Sequence, residues 1–284
     1  MENLQSKIDA SIELLRKGER LALALNPTDG YFVGFSGGKD SQVLLDLVKR
    51  SGVKYKAVYS VTTIDPPENV YFIRRYYPDV QFHHPRRNFF KMIETKGLPT
   101  VFHRFCCDAL KENVGAGNVV LTGVRREESR KRAAYVELMI KSRRKEHADR
   151  TRTRTLEEVE QNEHRCIKGK DKVMLNIMLD WTEKDVWKYI KLRGLPINPC
   201  YKTAGRVGCM FCPFNSRQLH EYWEVKYPRF KEHIISSLEV YLGKRKRSDE
   251  AGFANAEEYY RWWASKKKIK DYLKEHKQIN MKLY

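Results

Sequence analysis

Residues 30–45 read GYFVGFSGGKDSQVLL, and this stretch decides the fold. An apolar run at 31–35 meets the polar hexapeptide SGGKDS at 36–41, and a second apolar run follows at once. A short apolar run bounded by turn residues is typical of a buried strand. A glycine-rich turn that opens a helix presents free peptide N–H groups and a favourable dipole to an anion. The sequence therefore predicts a strand–turn–helix unit that binds phosphate.

The polar residues of the hexapeptide indicate which phosphate it binds. Lys39 supplies a full positive charge, and Ser36 and Ser41 supply hydroxyl donors. Only two residues separate Ser36 from Lys39, so the turn is not the GxxxxGK[ST] loop. We interpret it as a site for a pyrophosphate group rather than a cradle for a transferred γ-phosphate.

The rest of the first 200 residues alternates between strand and helix patterns. Predicted strands cover 31–35, 55–61, 80–83, 118–122 and 172–177, and helices cover 39–50 and 68–77 between them. This alternation is typical of βαβ units in a parallel sheet of about five strands with helices on both faces. We therefore expect an α/β, Rossmann-like fold whose ligand lies beyond the carboxyl ends of the strands.

Three segments are predicted along the chain. Residues 1–27 form an N-terminal helix, 28–216 a nucleotide-binding domain that includes the cysteines, and 217–284 a helical, basic C-terminal extension. Residues 141–171 are polar and mixed in charge, and we interpret them as an inserted arm with a helix at 156–163.

The chain is strongly basic. Its 284 residues carry a formal net charge of +19, which favours an anionic partner, and nucleic acid is the usual one. We expect the basic clusters at 244–247 and 266–268 to contact backbone phosphates, and Trp262 and Trp263 to pack the C-terminal extension onto the core.

Neither a membrane span nor a secretory signal is predicted. The sequence has no apolar run of about 18 residues, and its first 25 residues are too charged for a signal peptide. We therefore expect a cytoplasmic protein. Disulfides are rare in that compartment, so its six cysteines are better interpreted as ligands, nucleophiles or core residues.

Five cysteines compete for four places in a metal site. A tandem pair, Cys106-Cys107, precedes a C-x-x-C pair formed by Cys209 and Cys212, and Cys200 lies nine positions before Cys209. Two such pairs complete a tetrahedral sulfur site, which suits zinc or a 4Fe-4S cluster, and spacing alone does not choose. We predict Cys107, Cys209 and Cys212 as ligands, with Cys106 or Cys200 as the fourth, and give Cys166 no role.

The motifs resemble a known family. SGGKDS at 36–41 resembles the signature of the PP-loop ATP pyrophosphatases, the adenine nucleotide alpha hydrolase-like superfamily. TTIDPPE at 62–68, TGVRREESR at 122–130 and the segment 179–213 resemble elements of its PAPS (phosphoadenosine phosphosulfate) reductase branch. The resemblance implies a HUP/Rossmann-like sheet that binds an adenine nucleotide, either ATP with Mg²⁺ or PAPS.

The resemblance also implies roles for individual residues. Those that would hold the phosphates are Ser36, Gly37, Gly38, Lys39, Asp40 and Ser41. Asp65 would lie near the nucleotide or its metal ion. Arg125 would face the anionic leaving group, with Glu128 and Ser129 orienting it, and the catalytic set would be Lys39, Asp40 and Arg125. Members of this branch with a tandem Cys-Cys and a later C-x-x-C bind 4Fe-4S, so the resemblance favours the cluster over zinc.

Two activities follow from the resemblance. The first is an ATP pyrophosphatase that releases AMP and pyrophosphate while activating an acceptor, nucleic acid in our interpretation, for sulfur transfer from a donor protein such as a cysteine desulfurase. The second is a PAPS or adenylyl-sulfate reductase that releases sulfite. Such reductases carry a reactive cysteine in a C-terminal tail, whereas this sequence has no cysteine after Cys212. We therefore favour the first activity.

Overall fold

The computed structural model describes residues 2–141, 151–153, 155–159, 171–244, 253 and 255–282. The chain divides into two compact units, each assembled from three segments. The first unit consists of Met1–Val61, Pro67–His84 and Glu112–Val207, and the second of Thr62–Pro66, Pro85–Lys111 and Gly208–Tyr284. The predicted C-terminal extension thus shares its unit with two segments from the first half of the sequence.

The described residues form strands and helices with the following bounds. The strands are β1 Tyr31–Phe35, β2 Tyr55–Ser60, β3 Gln81–His83, β4 Val119–Leu121, β5 Leu138–Lys141, β6 Thr151–Thr153 and β7 Lys172–Leu175. The helices are α1 Glu2–Leu25, α2 Lys39–Ser51, α3 Pro67–Tyr76, α4 Phe89–Lys96, α5 Phe105–Cys107, α6 Arg130–Ala133, α7 Leu156–Glu158, α8 Glu183–Arg193, α9 Cys200–Ala204, α10 Arg217–Lys226, α11 Pro228–Gly243, α12 Ala256–Ser265 and α13 Ile269–Lys282. A π-helical turn at Asp108–Glu112 follows α5, and a 3₁₀ turn covers Arg126–Glu128.

The sheet of the first unit has the order β3-β2-β1-β4-β7-β5-β6. The first five of these strands pair in parallel, and β5 pairs antiparallel with β7 and β6. From β1 the chain proceeds outward to β2 and β3, and then returns to the other side of β1 with β4. The order therefore reverses between β1 and β4, and this is the position where α/β sheets bind ligands beyond the strand ends.

Alternation along β1 explains how the first unit builds its core. Tyr31, Val33 and Phe35 are buried, and the neighbouring α2 buries an apolar face. Helix α1 adds its own apolar stripe to the same cluster; these buried residues are Ile8, Leu15, Leu21 and Ala22. Gly52 ends α2 in a left-handed conformation, as expected for a helix C-terminus. The core thus fixes the strand and the helix on either side of the SGGKDS turn.

The α/β fold with a core of five parallel strands is confirmed. The antiparallel strands β5 and β6 are an addition that the sequence did not predict. Within the arm, helix α7 covers only the first part of the predicted helix 156–163, and residues 160–163 and Cys166 lie outside the described residues. Much of the first basic cluster, at 245–247, lies outside them as well.

The second unit is helical and rich in aromatic residues. Trp223, Phe211, Tyr260 and Trp263 are buried among its helices. The indole Nε1 of Trp263 donates a hydrogen bond to Pro99 O at 2.6 Å, which confirms the predicted packing role of this tryptophan. Among the residues that the structure describes, no helix combines the length and the apolar character needed to cross a membrane.

Candidate nucleotide site and cysteine cluster

The SGGKDS turn lies at the carboxyl end of β1, and its shape requires glycine at position 37. Gly37 has φ +76°, a left-handed conformation that side chains disfavour. A Cβ there would lie 2.4 Å from Asn69 Oδ1 and 3.2 Å from Asn198 Nδ2. The backbone of the turn is therefore packed directly against two amide side chains.

Hydrogen bonds from remote residues hold this turn in place. Asn198 Nδ2 donates to Gly37 O at 3.0 Å and to Asn69 Oδ1 at 2.7 Å, and Asn69 Nδ2 donates to Ser36 O at 3.2 Å. Within the turn, the Ser41 hydroxyl donates to Gly38 O at 2.9 Å and accepts from Ser36 N at 3.2 Å. The predicted phosphate residues are thus brought together in one preorganised loop.

Hydroxyl oxygens take the peptide N–H donors at the start of α2. Lys39 N donates to Tyr201 Oη at 2.8 Å, and Gly38 N donates to Ser36 Oγ at 3.4 Å. Burial raises the pKa of Tyr201 to about 12, so this residue is a neutral phenol at ordinary pH. The two hydroxyl oxygens accept from the same peptide N–H groups that a phosphate oxygen would accept from at a helix N-terminus.

The Lys39 ammonium group is surrounded by carboxylates. Its Nζ lies 3.3 Å from Asp40 Oδ2 and 3.4 Å from Glu183 Oε1, and 5.9 Å from the centre of the Tyr201 ring. The amine is therefore held next to the phosphate-type donors. Its charge is compensated by two oxygen ligands of the kind that Mg²⁺ prefers.

Arg125 is buried and joins the next strand to this loop. Its Nε donates to Asp40 Oδ1 at 2.8 Å, and its Nη1 lies 3.3 Å from Glu127 Oε2. A Cβ on Gly123 would lie 2.9 Å from Asp40 C and O, so the end of β4 also approaches the loop closely. The structure thus brings together the three predicted catalytic residues, Lys39, Asp40 and Arg125.

Glu128 and Ser129 make local contacts. Glu128 Oε2 accepts from Arg125 N at 3.1 Å and contacts Arg132. The Ser129 hydroxyl accepts from Arg132 N at 3.2 Å as the cap of α6. Both residues therefore shape the turn after β4, and Glu128 is linked to the loop through Arg125.

Four cysteines line one small pocket of the second unit. Cys106, Cys107, Cys209 and Cys212 surround a cavity of about 20 Å³ together with Lys111. The Cys209 thiol lies 3.5 Å from Thr62 Oγ1. We call these four residues the cysteine cluster.

Charge within the pocket couples the cluster to Lys111 and Asp65. The interaction with Cys209, more than that with Asp65, raises the pKa of the Lys111 ammonium group, although burial opposes it. A hydrogen bond with Cys107, and then burial, raises the pKa of the Cys106 thiol. Asp65 Oδ2 also accepts from Thr62 N at 2.6 Å, which closes the turn that holds it. Lys111 therefore supplies the positive charge that a group of thiolates needs.

Residues behind the C-x-x-C loop fix its backbone. Asn215 Nδ2 donates to Met210 O at 2.7 Å and to Cys209 O at 3.1 Å. Lys266 Nζ donates to Pro213 O at 3.3 Å and lies 2.9 Å from His220 Nε2. Burial lowers the pKa of Lys266 to about 8, and burial together with Lys266 lowers that of His220 to about 4. Lys266 thus supports the cysteine loop, and the contact of the cluster 266–268 with phosphates stays a prediction.

The donor set of the cysteine cluster fits a thiolate-ligated metal centre. Four sulfurs from a tandem pair and a C-x-x-C pair have the chemistry of zinc and iron–sulfur ligands. Over the described ranges, however, no group of three or more His, Cys, Asp or Glu side chains already has metal-binding geometry. Cys200, the fifth candidate, is buried in the first unit, where its backbone N–H donates to Asn198 Oδ1 at 3.0 Å.

Comparison with known families agrees with these motifs. The sequence model of the phosphoadenosine phosphosulfate reductase domain matches residues 30–215, which is more than half of the chain. The chain belongs to this family. The match includes the SGGKDS turn, Arg125 and all the cysteines discussed above. A comparison with proteins of curated function found no significant match.

Three solved structures resemble this chain at low sequence identity. Phosphoadenylyl-sulfate (PAPS) reductase from Candida auris, in a phosphate complex, has a TM-score of 0.44 and 14% identity, covering 75% of this chain and 96% of that chain. FMN adenylyltransferase from Candida glabrata has a TM-score of 0.45 and 13% sequence identity, and the match covers 73% of this chain and 62% of that chain. The U34-tRNA thiolase from Methanococcus maripaludis, with its 4Fe-4S cluster, has a TM-score of 0.36 and 13% sequence identity. That match covers 86% of this chain and 84% of that chain. These likenesses are too distant to indicate an activity.

Several residues of the candidate site carried no signal of function in the sequence. Asn69 and Asn198 are ordinary polar residues until folding buries them against Gly37. Tyr201 belongs to the segment that resembles the PAPS reductase branch, but its contact with Lys39 N depends on tertiary structure. Lys111, five residues after Cys106, was missed because only the three-dimensional pocket links it to Cys209.

Proposed function

We propose that this family member is an enzyme that binds ATP at the SGGKDS turn and splits it into AMP and pyrophosphate. The adenylyl group passes to an oxygen of an acceptor, for which we propose a nucleic acid. Sulfur from a donor protein such as a cysteine desulfurase then displaces AMP from that acceptor. In the first step the α–β phosphoanhydride bond breaks and an acceptor oxygen–phosphorus bond forms. In the second step the persulfide sulfur of the donor attacks the acceptor, and the bond between the acceptor and that oxygen breaks with AMP as the leaving group. A dithiol reductant then supplies the two electrons that split the sulfur–sulfur bond to the donor.

One observation carries the proposal. At the switch point of the sheet, two peptide N–H groups at the start of α2 donate to hydroxyl oxygens, and the Lys39 ammonium group lies on the same turn. Oxygen ligands at a helix N-terminus next to a cation are what a pyrophosphate group supplies. The loop is already held by Asn69 and Asn198, so binding needs little further ordering of its backbone.

The residues around the turn have distinct roles in this chemistry. Lys39 stabilises the negative charge that develops on pyrophosphate as it leaves. Asp40 fixes the buried Arg125 beside the loop and thereby keeps a second cation near the reacting phosphates. Asp40 and Glu183 are the side chains that would hold Mg²⁺, which when bound neutralises phosphate charge.

The cysteine cluster serves the sulfur step in this proposal. Cys106, Cys107, Cys209 and Cys212 would hold a 4Fe-4S cluster, with zinc as the alternative, and Lys111 balances the charge of their thiolates. A bound iron–sulfur cluster would supply a site at which sulfur is carried to the activated acceptor. Asn215 and Lys266 keep the C-x-x-C loop in the shape that presents Cys209 and Cys212.

Pyrophosphate release tests the proposal. Purified protein is incubated with ATP, Mg²⁺ and a mixture of cellular RNA and DNA as acceptor, and pyrophosphate is measured. Lys39→Met should lower the rate by about 100-fold, because it removes a charge that acts on the leaving group. Lys17→Met is the matched control: this lysine lies on α1, 65% exposed, and should leave the rate unchanged. Tight ATP binding without pyrophosphate would indicate a nucleotide sensor and contradict the proposal.

A sulfonucleotide reductase is the second candidate, and the family description favours it. In that reaction a dithiol supplies two electrons, the sulfur–oxygen bond of PAPS or adenylyl sulfate breaks, and sulfite leaves. Incubation with PAPS and reduced thioredoxin, followed by a sulfite assay, separates the two candidates. Sulfite without pyrophosphate would select the reductase.

A further inference from the structure

Exposed apolar side chains flank the cysteine cluster within the second unit. Phe102 is 99% exposed, Val101 46% and Phe214 49%. Phe102 lies four residues before Cys106, and Phe214 two residues after Cys212. An exposed phenylalanine gains little of the hydrophobic stabilisation that burial would give. Phe102 therefore does little for the fold, and neighbouring apolar side chains that are exposed together mark interaction sites.

The loop that presents Phe102 is anchored on both sides. On one side, Pro99 O accepts the hydrogen bond from the buried Trp263 at 2.6 Å. On the other, Phe105 is buried at the start of α5. The turn between them is closed by hydrogen bonds from Thr100 N to His103 O at 3.2 Å and from His103 N to Thr100 Oγ1 at 3.0 Å. Phe102 thus projects from an ordered turn, which preorganises it for binding.

Positive charge accompanies these aromatic rings. The Arg104 guanidinium group lies 5.4 Å from the centre of the Phe214 ring, and Lys96 Nζ lies 5.2 Å from that of Phe105. Residues 85–111 carry six lysine or arginine side chains against two carboxylates. Aromatic faces combined with basic groups suit bases joined by a phosphate backbone, since each base stacks while each phosphate is neutralised.

We propose that Phe102, Arg104 and Phe214 form a platform on which unpaired bases of a single-stranded nucleic acid stack next to the cysteine cluster. Unpaired bases are required because a duplex hides the faces of its bases between neighbouring pairs. The net charge of +19 supports an anionic strand over a protein partner with an apolar face. The platform deepens the proposed function, on which it rests for the role of the bound strand, because it names the class of acceptor.

Fluorescence anisotropy tests the platform without ATP, at fixed salt. The probes are a labelled mixed-sequence 12-mer as single-stranded DNA, the same sequence as RNA, and the DNA duplex. We expect tighter binding of a single strand than of the duplex. Phe102→Leu should weaken single-strand binding by about tenfold because it keeps an apolar side chain but removes the ring. Phe102→Tyr, which keeps a stacking face, should retain the affinity of the wild type.

Two further variants complete the test. Val225→Ala is the matched control, because this residue of the same unit is 84% exposed, and we expect no change. Arg104→Gln should reduce the slope of log affinity against log salt by about one, as for the loss of one phosphate contact. Equal binding of strand and duplex, or an unchanged affinity for Phe102→Leu, would overturn the platform.

The outcomes keep the two proposals apart. Strand binding that depends on Phe102 without pyrophosphate release from ATP would remove the proposed catalysis and leave the platform. Pyrophosphate release together with strand binding that is unchanged in the Phe102 variants would support the proposed catalysis and overturn the platform. Binding of a protein through the same side chains, with no single-strand affinity, would also overturn the platform.

Discussion

At the scale of single residues, Gly37 carries the tightest constraint in the nucleotide site. Its φ is +76°, and a Cβ added to it would lie 2.4 Å from Asn69 Oδ1, so there is no room for a methyl group. Gly37→Ala should therefore destabilise the protein by about 2–4 kcal/mol, from conformational strain and a clash together. ATP affinity should fall by tenfold or more, because Asn69 and Asn198 must move and release the loop. Urea denaturation and calorimetric ATP titration measure the two effects.

Gly52 offers a matched control for that substitution. It has φ +75°, but a Cβ there would meet nothing within 4 Å. Gly52→Ala should therefore lower the free energy of unfolding only through backbone strain, by about 1–2 kcal/mol, and leave ATP affinity unchanged. Wild-type ATP affinity in Gly37→Ala would show that close backbone approach at the turn does not hold phosphate.

The same residues show what can be predicted from sequence at this scale. Ser36, Gly37 and Lys39 were predictable because the turn is local, and its chemistry follows from neighbouring residues. Asn198 lies more than 150 residues from the turn that it supports, and nothing in its sequence neighbours marks it as a partner. Residues of this second kind can be identified only once the fold brings them to the loop.

At the scale of elements, an ion pair ties α1 to the start of α8. Lys7 Nζ lies 2.6 Å from Asp185 Oδ2, and Asp185 also closes the capping box with Thr182. Burial raises the pKa of Asp185, but hydrogen bonds from Lys7 and Thr182 outweigh it and lower the pKa to about 2. The ionised carboxylate therefore stabilises the fold at neutral pH.

The pH dependence of this tie follows from the direction of the pKa shift. The pKa of Asp185 is lower in the folded state than in the unfolded state. The contribution of its carboxylate to the free energy of unfolding is therefore complete above about pH 4 and is lost as pH falls toward 2. It amounts to roughly 2 kcal/mol. Asp185→Asn should lower the free energy of unfolding by about 1–2 kcal/mol at pH 7, and the difference from wild type should narrow below pH 4. Urea unfolding between pH 7 and pH 3 measures both.

An exposed ion pair provides the comparison for Asp185. Asp79 is 78% exposed, and its carboxylate lies 3.5 Å from Lys49 Nζ. Asp79→Asn should change stability by less than about 0.5 kcal/mol, because water screens such pairs. An equally small effect of Asp185→Asn would show that the capping box does not depend on the charge of Asp185.

Elements differ in how far their sequence reveals them. The parallel strands were predicted because their signal, a short apolar run between turn residues, is contained in a few positions. The strands β5 and β6 were missed because they are short, and because β5 borders the polar arm and β6 lies within it. The pairing of β5 with β7, and of β6 with β5, is formed by tertiary contact rather than by a local pattern.

At the scale of the whole molecule, the candidate chemistry is divided between two units. The SGGKDS turn and Arg125 belong to the first unit, and Asp65 and the cysteine cluster to the second. The sequence predicted one continuous domain for all of them because the segments interleave along the chain. No shift in composition marks the places where the chain leaves one unit and enters the other.

This division leads to a prediction about the fourth metal ligand. Cys106 lines the pocket with Cys107, Cys209 and Cys212, whereas Cys200 is buried in the first unit. We expect Cys106→Ala to lose most of its bound iron or zinc and Cys200→Ala to keep it, although both remove a buried thiol. Metal content per chain after anaerobic purification, with a visible spectrum, measures this directly. Circular dichroism of both variants confirms that each is folded. Full metal content in Cys106→Ala, together with loss in Cys200→Ala, would assign the fourth place to Cys200 and require a rearrangement of the cysteines.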